Sequence, residues 1–218
     1  MHKECFTKKG WQVWTKYNKM FVKYDAILAG GTALALHIGH RISEDLDFFT
    51  AKAFKVESII SNLRKYSDSF SIMSEGEDFI TVILDGVKVS LFKYDYPFID
   101  KISSYKGIRI ASINDVASMK IIAINQRGTK RDFIDLFFIL QETPFHKIAD
   151  NMISRFGINR INPLHIGKSF VYFSDAESNP EPLYIKGKDV NWEKIKIFFR
   201  SHTKQFVFDL DTAIKRHS

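Results

Sequence analysis

The stretch LAGGTALAL, residues 28–36, and the stretch DLDFF, residues 45–49, together decide the fold of this chain. A short apolar strand runs into Gly30 and Gly31, and an apolar helix is predicted to begin at Thr32. Glycine permits close approach of the backbone, and a helix N-terminus offers unpaired N–H groups and a positive dipole end to phosphate. The sequence therefore predicts a phosphate-binding turn between a strand and a helix. The alternative is a tight connection in which Thr32 only caps the helix.

Two carboxylates follow this turn. Asp45 and Asp47 are two residues apart in a predicted strand, so their side chains point to the same face, about 6–7 Å apart. Leu46, Phe48 and Phe49 indicate a mostly buried strand, in which unpaired carboxylates are costly. Neighbouring carboxylates repel each other, so a cation or a basic partner is expected beside them. Mg²⁺ prefers oxygen ligands and bound phosphates. A phosphate-binding turn followed by this pair of carboxylates predicts nucleotide chemistry, although a solvated strand face would show the same spacing.

Composition limits the classes of protein to which the chain can belong. Its 218 residues, 45% hydrophobic and 26% charged, are typical of a globular protein with an ample core. A single cysteine, Cys5, excludes a disulfide framework and a cysteine-rich zinc site. The net charge of +7 favours contact with nucleic acid or polyphosphates. The sequence lacks an apolar run long enough to span a membrane, so we expect a soluble, cytoplasmic protein with no membrane partner.

The predicted elements change character near residue 112. Before it they alternate between helix and strand, with Asp85-Gly86 as a hairpin turn; after it they are all helical. We therefore predict an α+β chain with two domains: residues 1–112, a small mixed sheet with helices, and residues 113–218, an α-helical bundle. The predicted helices and strands are helix 8–24, strand 26–29, helix 32–40, strand 46–50, helix 55–66, strands 79–84, 87–94 and 108–110, and helices 113–127, 130–141, 145–156, 163–173, 192–202 and 204–215.

The helical half supplies further candidate residues. Lys120 and Arg127 lie on one face of a predicted helix, so both can point in one direction. Such cations could neutralise a triphosphate and the charge that develops during transfer. Asp132 and Asp135 lie in the next helix beside basic residues. A salt bridge between the helices would explain Lys120 and these two acids equally well.

Three blocks of the sequence resemble the AbiEii/AbiGii-type toxins of the nucleotidyltransferase superfamily. They are GGTALALHIGHRISEDLDFFT (30–50), MKIIAINQRGTKRDFIDLFFIL (119–140), and VYFSDAESNPEPLY (171–184) followed by Trp192. The resemblance implies a nucleotidyltransferase-like N-terminal domain that transfers a nucleotidyl group from an NTP. It also implies a toxin–antitoxin or phage-defence system with an antitoxin encoded beside the toxin.

The resemblance also implies a role for each candidate residue. The catalytic residues would be Asp45, Asp47, Lys120, Asp132 and Asp135, with Asp45 and Asp47 binding Mg²⁺ or Mn²⁺. The nucleotide would be bound by Gly30, Gly31, Thr32, Arg41 and Arg127. These roles predict Mg²⁺-dependent transfer from an NTP to an acceptor hydroxyl, with RNA, and in particular tRNA, as the expected acceptor.

Ser90 departs from the pattern of polymerase-type sites. Such sites carry a third carboxylate on a neighbouring strand, and this chain has Ser90 at the expected position. Either Asp132 or Asp135 replaces the missing carboxylate, which we favour, or the chain is a catalytically weakened nucleotide-binding module. A further alternative keeps the enzyme class but makes a small molecule or a protein the acceptor.

Overall fold

The computed structural model describes residues 1–67 and 70–218, which form two compact units. The first unit comprises Met1–Pro97 and Lys101–Ala111, and the second comprises Phe98–Asp100 and Ser112–Ser218. The elements of the first unit are α1 (Lys8–Lys23), β1 (Ile27–Ala29), α2 (Gly30–Ile38), β2 (Leu46–Thr50), α3 (Val56–Tyr66), β3 (Phe70–Gly76), β4 (Phe79–Leu84), β5 (Val87–Lys93), β6 (Ser103–Tyr105) and β7 (Ile108–Ile110).

The seven strands form one mixed sheet in the order β3-β4-β5-β2-β1-β7-β6. Strand β2 is parallel to β5 and antiparallel to β1, and β1 is parallel to β7. The hairpin between β4 and β5 turns at Asp85 and Gly86, which have φ values of 49° and 83°. Two successive residues with positive φ are typical of a tight two-residue hairpin turn, so the predicted hairpin is confirmed.

The two faces of the sheet differ in burial. In β2, Leu46, Phe48 and Thr50 are buried, whereas Asp47 and Phe49 are half-buried and point the opposite way. The Phe48 ring stacks on Phe21 of α1 with 3.8 Å between ring centroids, so the covered face carries core packing. We call the opposite side the open face. On β2 it carries Asp47 and Phe49, together with Asp45, which directly precedes the strand. On the neighbouring strands it carries Lys88, Ser90 and Phe92 of β5, and Phe79 and Thr81 of β4.

The second unit is helical. Its elements are α4 (Ile113–Gln126), α5 (Lys130–Leu140), α6 (Phe145–Phe156), α7 (Pro163–Phe170), α8 (Ser174–Glu177) and α9 (Trp192–His217). Its core is rich in aromatic rings: Phe199 contacts Phe133 and Phe170, and Phe206 stacks on Phe145 at 4.3 Å. The α+β class is confirmed, with a mixed sheet and helices followed by a helical bundle.

Asp115 of α4 and Arg155 of α6 form a fully buried ion pair that fixes the start of α4. The Asp115 carboxylate accepts hydrogen bonds from the Ile99 and Asp100 amides, each at 3.3 Å, and from the Asn151 side chain at 3.1 Å. Arg155 of α6 donates to the Asp115 carbonyl oxygen at 2.6 Å. These bonds hold Phe98–Asp100 within the second unit although the segment precedes α4 by twelve residues or more.

Besides small shifts at the ends of elements, four elements differ from those predicted, one of them the four-residue helix α8, which no predicted element covers. Helix α9 is one helix where two were predicted at 192–202 and 204–215, because the polar segment between them contains neither glycine nor proline. Strand β3 was not predicted because it lies at the sheet edge and exposes both faces, so its sequence does not alternate. Strand β6, at the other edge of the sheet, was not predicted because three residues are too few to show a pattern. In residues 1–67 and 70–218, no helix is long and apolar enough to cross a membrane.

Candidate active site

The glycine turn between β1 and α2 lies directly against Asp47. Gly30 has a φ of +66°, which L side chains rarely adopt, and a Cβ atom added there would lie 3.4 Å from Asp47 Oδ2. The register of β1 and β2 pairs Ala29 with Asp47, which explains this proximity. At Gly31 a side chain would clash with the guanidinium of Arg41. Gly30 is thus favoured by its positive φ, and a side chain at Gly31 would displace the Arg41 guanidinium. The turn, Arg41 and Asp47 come together at one end of β2.

The Thr32 hydroxyl connects α2 to the segment before β2. It is buried, lies 2.8 Å from the Ser43 hydroxyl and donates to the backbone carbonyl of Asp45. Arg41 is also buried and donates to the Ile42 carbonyl at 3.2 Å. Thr32 therefore positions the backbone of Asp45. That Thr32 and Arg41 contact phosphate stays a prediction.

Asp45 has a partner that the sequence analysis did not name. Lys88 Nζ lies 2.7 Å from Asp45 Oδ2, and both side chains are about a third exposed, at 38% and 35%. The signal was present in the sequence, because VKVSLF (87–92) alternates and places Lys88 on the same face as Ser90. The cation expected beside the two carboxylates is, in this structure, an ammonium group.

Ser90 lies where the third carboxylate was expected. It is the register partner of Asp47 on the adjacent parallel strand and of Thr81 on the other side. Its hydroxyl accepts a hydrogen bond from Thr81 Oγ1 at 3.3 Å. The acids on either side of β5 are Asp85, at the hairpin turn and 2.9 Å from Lys16 Nζ, and Asp95, beyond the end of the strand.

The site contains two carboxylates that could bind a metal ion, those of Asp45 and Asp47. In the part of the chain that the structure describes, no group of three or more histidine, cysteine, aspartate or glutamate side chains could hold a metal. Asp45 and Asp47 nevertheless fit Mg²⁺, which is typically bound by one or two carboxylates together with substrate phosphates and water.

The residues predicted in the second block meet in a buried ion cluster within the second unit. Lys120 Nζ of α4 lies 2.9 Å from Asp132 Oδ1 and 2.6 Å from Asp135 Oδ2, both on α5. The two carboxylates are 1% and 0% exposed. Arg127 Nε, largely exposed, donates to Asp132 Oδ2 at 3.2 Å. The four residues are thus brought together, and their contact with substrate stays a prediction.

The Asp132 carboxylate is ionised despite its burial. Burial alone would raise its pKa, but the charges of Lys120 and Arg127 and a hydrogen bond from Thr129 outweigh that effect and hold the pKa below its usual value of 3.8. Thr129 Oγ1 donates to Asp132 Oδ2 at 2.7 Å. The cluster is therefore a network of charged groups at neutral pH.

The third block packs against the first turn of α5. The Asn179 side chain accepts a hydrogen bond from the Lys130 amide at 3.0 Å, and Glu181 lies 3.2 Å from Lys130 Nζ. Glu177 accepts from Trp192 Nε1 at 3.1 Å and from Lys196 Nζ at 2.7 Å. The second and third blocks thus form one polar network around the start of α5.

A strand-glycine-helix turn that abuts two carboxylates on a mixed sheet defines a nucleotidyltransferase-like protein. The model of the family described as "Nucleotidyl transferase AbiEii toxin, Type IV TA system" matches residues 17–110 and 94–215. The chain belongs to this family. It is a nucleotidyltransferase toxin of the type IV toxin–antitoxin class, and its family implies an NTP substrate and an antitoxin partner.

Similar proteins agree with this assignment. A protein of Aquifex aeolicus (strain VF5), described only as uncharacterized, is 36% identical over 189 residues, which is 84% of this chain and 88% of the relative. The nucleotidyltransferase toxin MenT4 from Mycobacterium tuberculosis H37Rv superposes with a TM-score of 0.56 at 13% identity, over 94% of this chain and 90% of MenT4. JHP933 from Helicobacter pylori superposes with a TM-score of 0.53 at 17% identity, over 97% and 92%. At these identities the two structures support the fold alone.

Lys120→Met is expected to lower the free energy of unfolding by about 3–5 kcal/mol, because it leaves two buried carboxylates without their shared cation. Urea unfolding measures the change. Arg127→Met is the matched control; its side chain is 66% exposed and should contribute about 1 kcal/mol or less. Equal stability losses in the two variants would contradict the importance of the buried cation.

The stability lost in Asp132→Asn should shrink as the pH falls. Because the folded-state pKa of Asp132 lies below 3.8, its charged form stabilises the fold above that pH, and the contribution is lost as the pH falls through the folded-state pKa. Urea unfolding of wild type and Asp132→Asn at pH values from 7 down to about 3 gives the difference. A difference that is constant or increases toward acid pH would contradict this assignment.

Proposed function

We propose that this toxin is a Mg²⁺-dependent enzyme that transfers a nucleotidyl group from an NTP to a hydroxyl group of RNA, with tRNA as the expected acceptor. Mn²⁺ has the same preference for oxygen ligands and is an alternative metal. In this proposal Asp45 and Asp47 hold the metal, and Gly30, Gly31, Thr32 and Arg41 surround the phosphates. The proposal starts from the family's nucleotidyltransferase activity and adds the metal, the acceptor and the residues.

One observation carries the proposal: the glycine turn lies against the carboxylate of Asp47. A Cβ atom at Gly30 would lie 3.4 Å from Asp47 Oδ2, so the first residue of α2 is close to that oxygen. A helix N-terminus favours phosphate, and a carboxylate favours a metal ion. A phosphate-bound metal satisfies both groups at once.

The residues of the chain have distinct parts in this reaction. When held by Asp45 and Asp47, Mg²⁺ would supply positive charge that offsets the negative charge developing during transfer. Thr32 fixes the backbone of Asp45 through its hydroxyl, and Asp47 is fixed by the register of β2. Lys88 Nζ lies 2.7 Å from Asp45 Oδ2 and would add positive charge beside the phosphates.

The net charge of the chain supports RNA as the acceptor. A charge of +7 attracts a polyanion through long-range electrostatics, and it disfavours a cationic small molecule. Transfer to a small molecule or to a protein side chain remains the alternative acceptor class. Lys120, Asp132 and Asp135 as catalytic residues, and Arg127 as a nucleotide-binding residue, remain proposals that rest on the resemblance of the second block. Participation in phage defence and a cytoplasmic location likewise remain proposals.

The double variant Asp45→Asn, Asp47→Asn should lose metal-dependent NTP binding while keeping the fold. Amides retain the shape of the side chains but remove both negative charges that attract the cation. Isothermal titration with NTP, with and without Mg²⁺, measures the effect. The matched control is Asp85→Asn, which changes an aspartate at the hairpin turn that is paired with Lys16 and should bind as wild type does. Unchanged Mg²⁺-dependent affinity in the double variant would rule out this site.

Ser90→Asp should not raise the rate of transfer, and Asp132→Asn should lower it by about 10²–10⁴-fold. We expect this because the resemblance of the second block implies a catalytic role for Asp132, whose carboxylate is ionised. The measurement is incorporation of labelled NTP into total RNA under single-turnover conditions, with Ser90→Asn as the control of equal charge and similar size. A rate increase in Ser90→Asp that is absent in Ser90→Asn would instead identify Ser90 as the site of a lost base and the chain as a weakened enzyme.

A further inference from the structure

Five aromatic rings form a continuous row on and beyond the open face of the sheet. Phe92 of β5 stacks between Phe79 of β4 and Phe49 of β2, with ring centroids 6.3 and 5.3 Å apart and interplanar angles of 24° and 26°. Phe49 contacts Tyr94 at 5.2 Å, and Tyr94 contacts Tyr96 at 5.3 Å. We call Phe79, Phe92, Phe49, Tyr94 and Tyr96 the aromatic row.

The aromatic row is adjacent to the carboxylates of the active site. Thr81, Ser90 and Asp47 are register partners across β4, β5 and β2, and Phe79, Phe92 and Phe49 are the next same-face partners on the same strands. Same-face residues are two positions apart, which is about 7 Å along a strand. A group held at Asp47 is thus about 7 Å along the strand from the position of Phe49.

The rings are not core residues. All five are half-buried, whereas Phe48, on the covered face of the same strand, is fully buried. Phe79 leans over β3 at Gly76, where any side chain would clash with the ring. The Phe79 and Phe49 rings are each near-parallel to the Phe92 ring, so these three rings are inclined in the same direction. Burial in a core does not account for a row of leaning, half-exposed rings beside two carboxylates.

We propose that the aromatic row binds the unpaired nucleobases at the 3′ end of the acceptor RNA by stacking. This inference rests on the proposed function for the position of the acceptor end. Unpaired bases stack on aromatic side chains in single-stranded RNA recognition, and stacking tolerates any base. Five contacting rings present more surface than one nucleobase of an NTP can cover. The row begins at Phe49, the next residue on the same face of β2 after Asp47, beside which transfer takes place in the proposed function. The positive net charge of the chain attracts the backbone of the same RNA.

The test compares an RNA hairpin that ends in a short unpaired 3′ tail with the same hairpin ending bluntly. Each is labelled at the 5′ end, and its binding to the full chain is followed by fluorescence anisotropy without NTP. Wild type should bind the tailed RNA more tightly. Phe92→Leu and Tyr94→Leu should weaken tailed-RNA binding about tenfold, within the 5- to 150-fold cost of removing one stacked ring, and leave blunt-RNA binding unchanged.

Two control variants separate stacking from side-chain bulk and hydrogen bonding. Tyr94→Phe keeps the ring and should bind tailed RNA as wild type does. Tyr66→Leu removes an exposed ring at the end of α3, outside the aromatic row, and should have no effect. Thermal unfolding of each variant identifies any that does not fold, and Tyr94→Leu provides the test if Phe92→Leu fails to fold.

Every outcome decides the proposal separately from the transfer reaction. Tail-dependent binding that the leucine variants lose supports it, even if no nucleotide incorporation is detected. Equal affinity of wild type for tailed and blunt RNA overturns it, even if transfer occurs. Leucine variants that bind tailed RNA normally but have a raised KM for NTP also overturn it, because the rings would then hold the base of the incoming nucleotide.

Discussion

The alternation of strand β2 is the constraint on which the candidate active site depends. Leu46, Phe48 and Thr50 are held on the covered face by burial, and a fully buried phenylalanine is worth about 1.5–3 kcal/mol. Asp45 and Asp47 are thereby forced to the open face. A shift of one residue in register would bury both carboxylates and expose Phe48. The apolar residues of the strand therefore fix the position of the polar ones, and they do so without any contact between the carboxylates and a ligand.

The residues that decide this arrangement are readable in the sequence. Alternation predicted strand β2 and the shared face of Asp45 and Asp47, and Asp85-Gly86 predicted the hairpin that brings β5 next to β4. The helix after the glycine turn was predicted too, but it begins at Gly30. Local patterns of period two or 3.6 and turn chemistry suffice for such elements, because each is determined by residues close in sequence.

Contacts between distant parts of the chain could not be predicted in the same way. The ion pair of Lys88 with Asp45 joins residues 43 positions apart and depends on β5 lying parallel to β2. The hydrogen bond between the Lys130 amide and Asn179 joins two blocks whose proximity no local pattern encodes. Edge strand β3 has no alternation to read, because both of its faces meet solvent. Sheet order and helix packing, which long-range contacts determine, are the information that the structure adds.

The two lysine–aspartate interactions of this chain differ in burial, and burial determines what each can do. Lys120 is surrounded by carboxylates that are at most 1% exposed, so separating these groups leaves a desolvated charge, which is strongly unfavourable. Lys88 and Asp45 are about a third exposed, and water can solvate both once they part, so their separation costs about 0–1 kcal/mol. The Lys88 ammonium therefore reduces the repulsion between Asp45 and Asp47 while the site holds no cation. It can also be displaced at small cost, as the proposed binding of a metal ion and a triphosphate beside it requires.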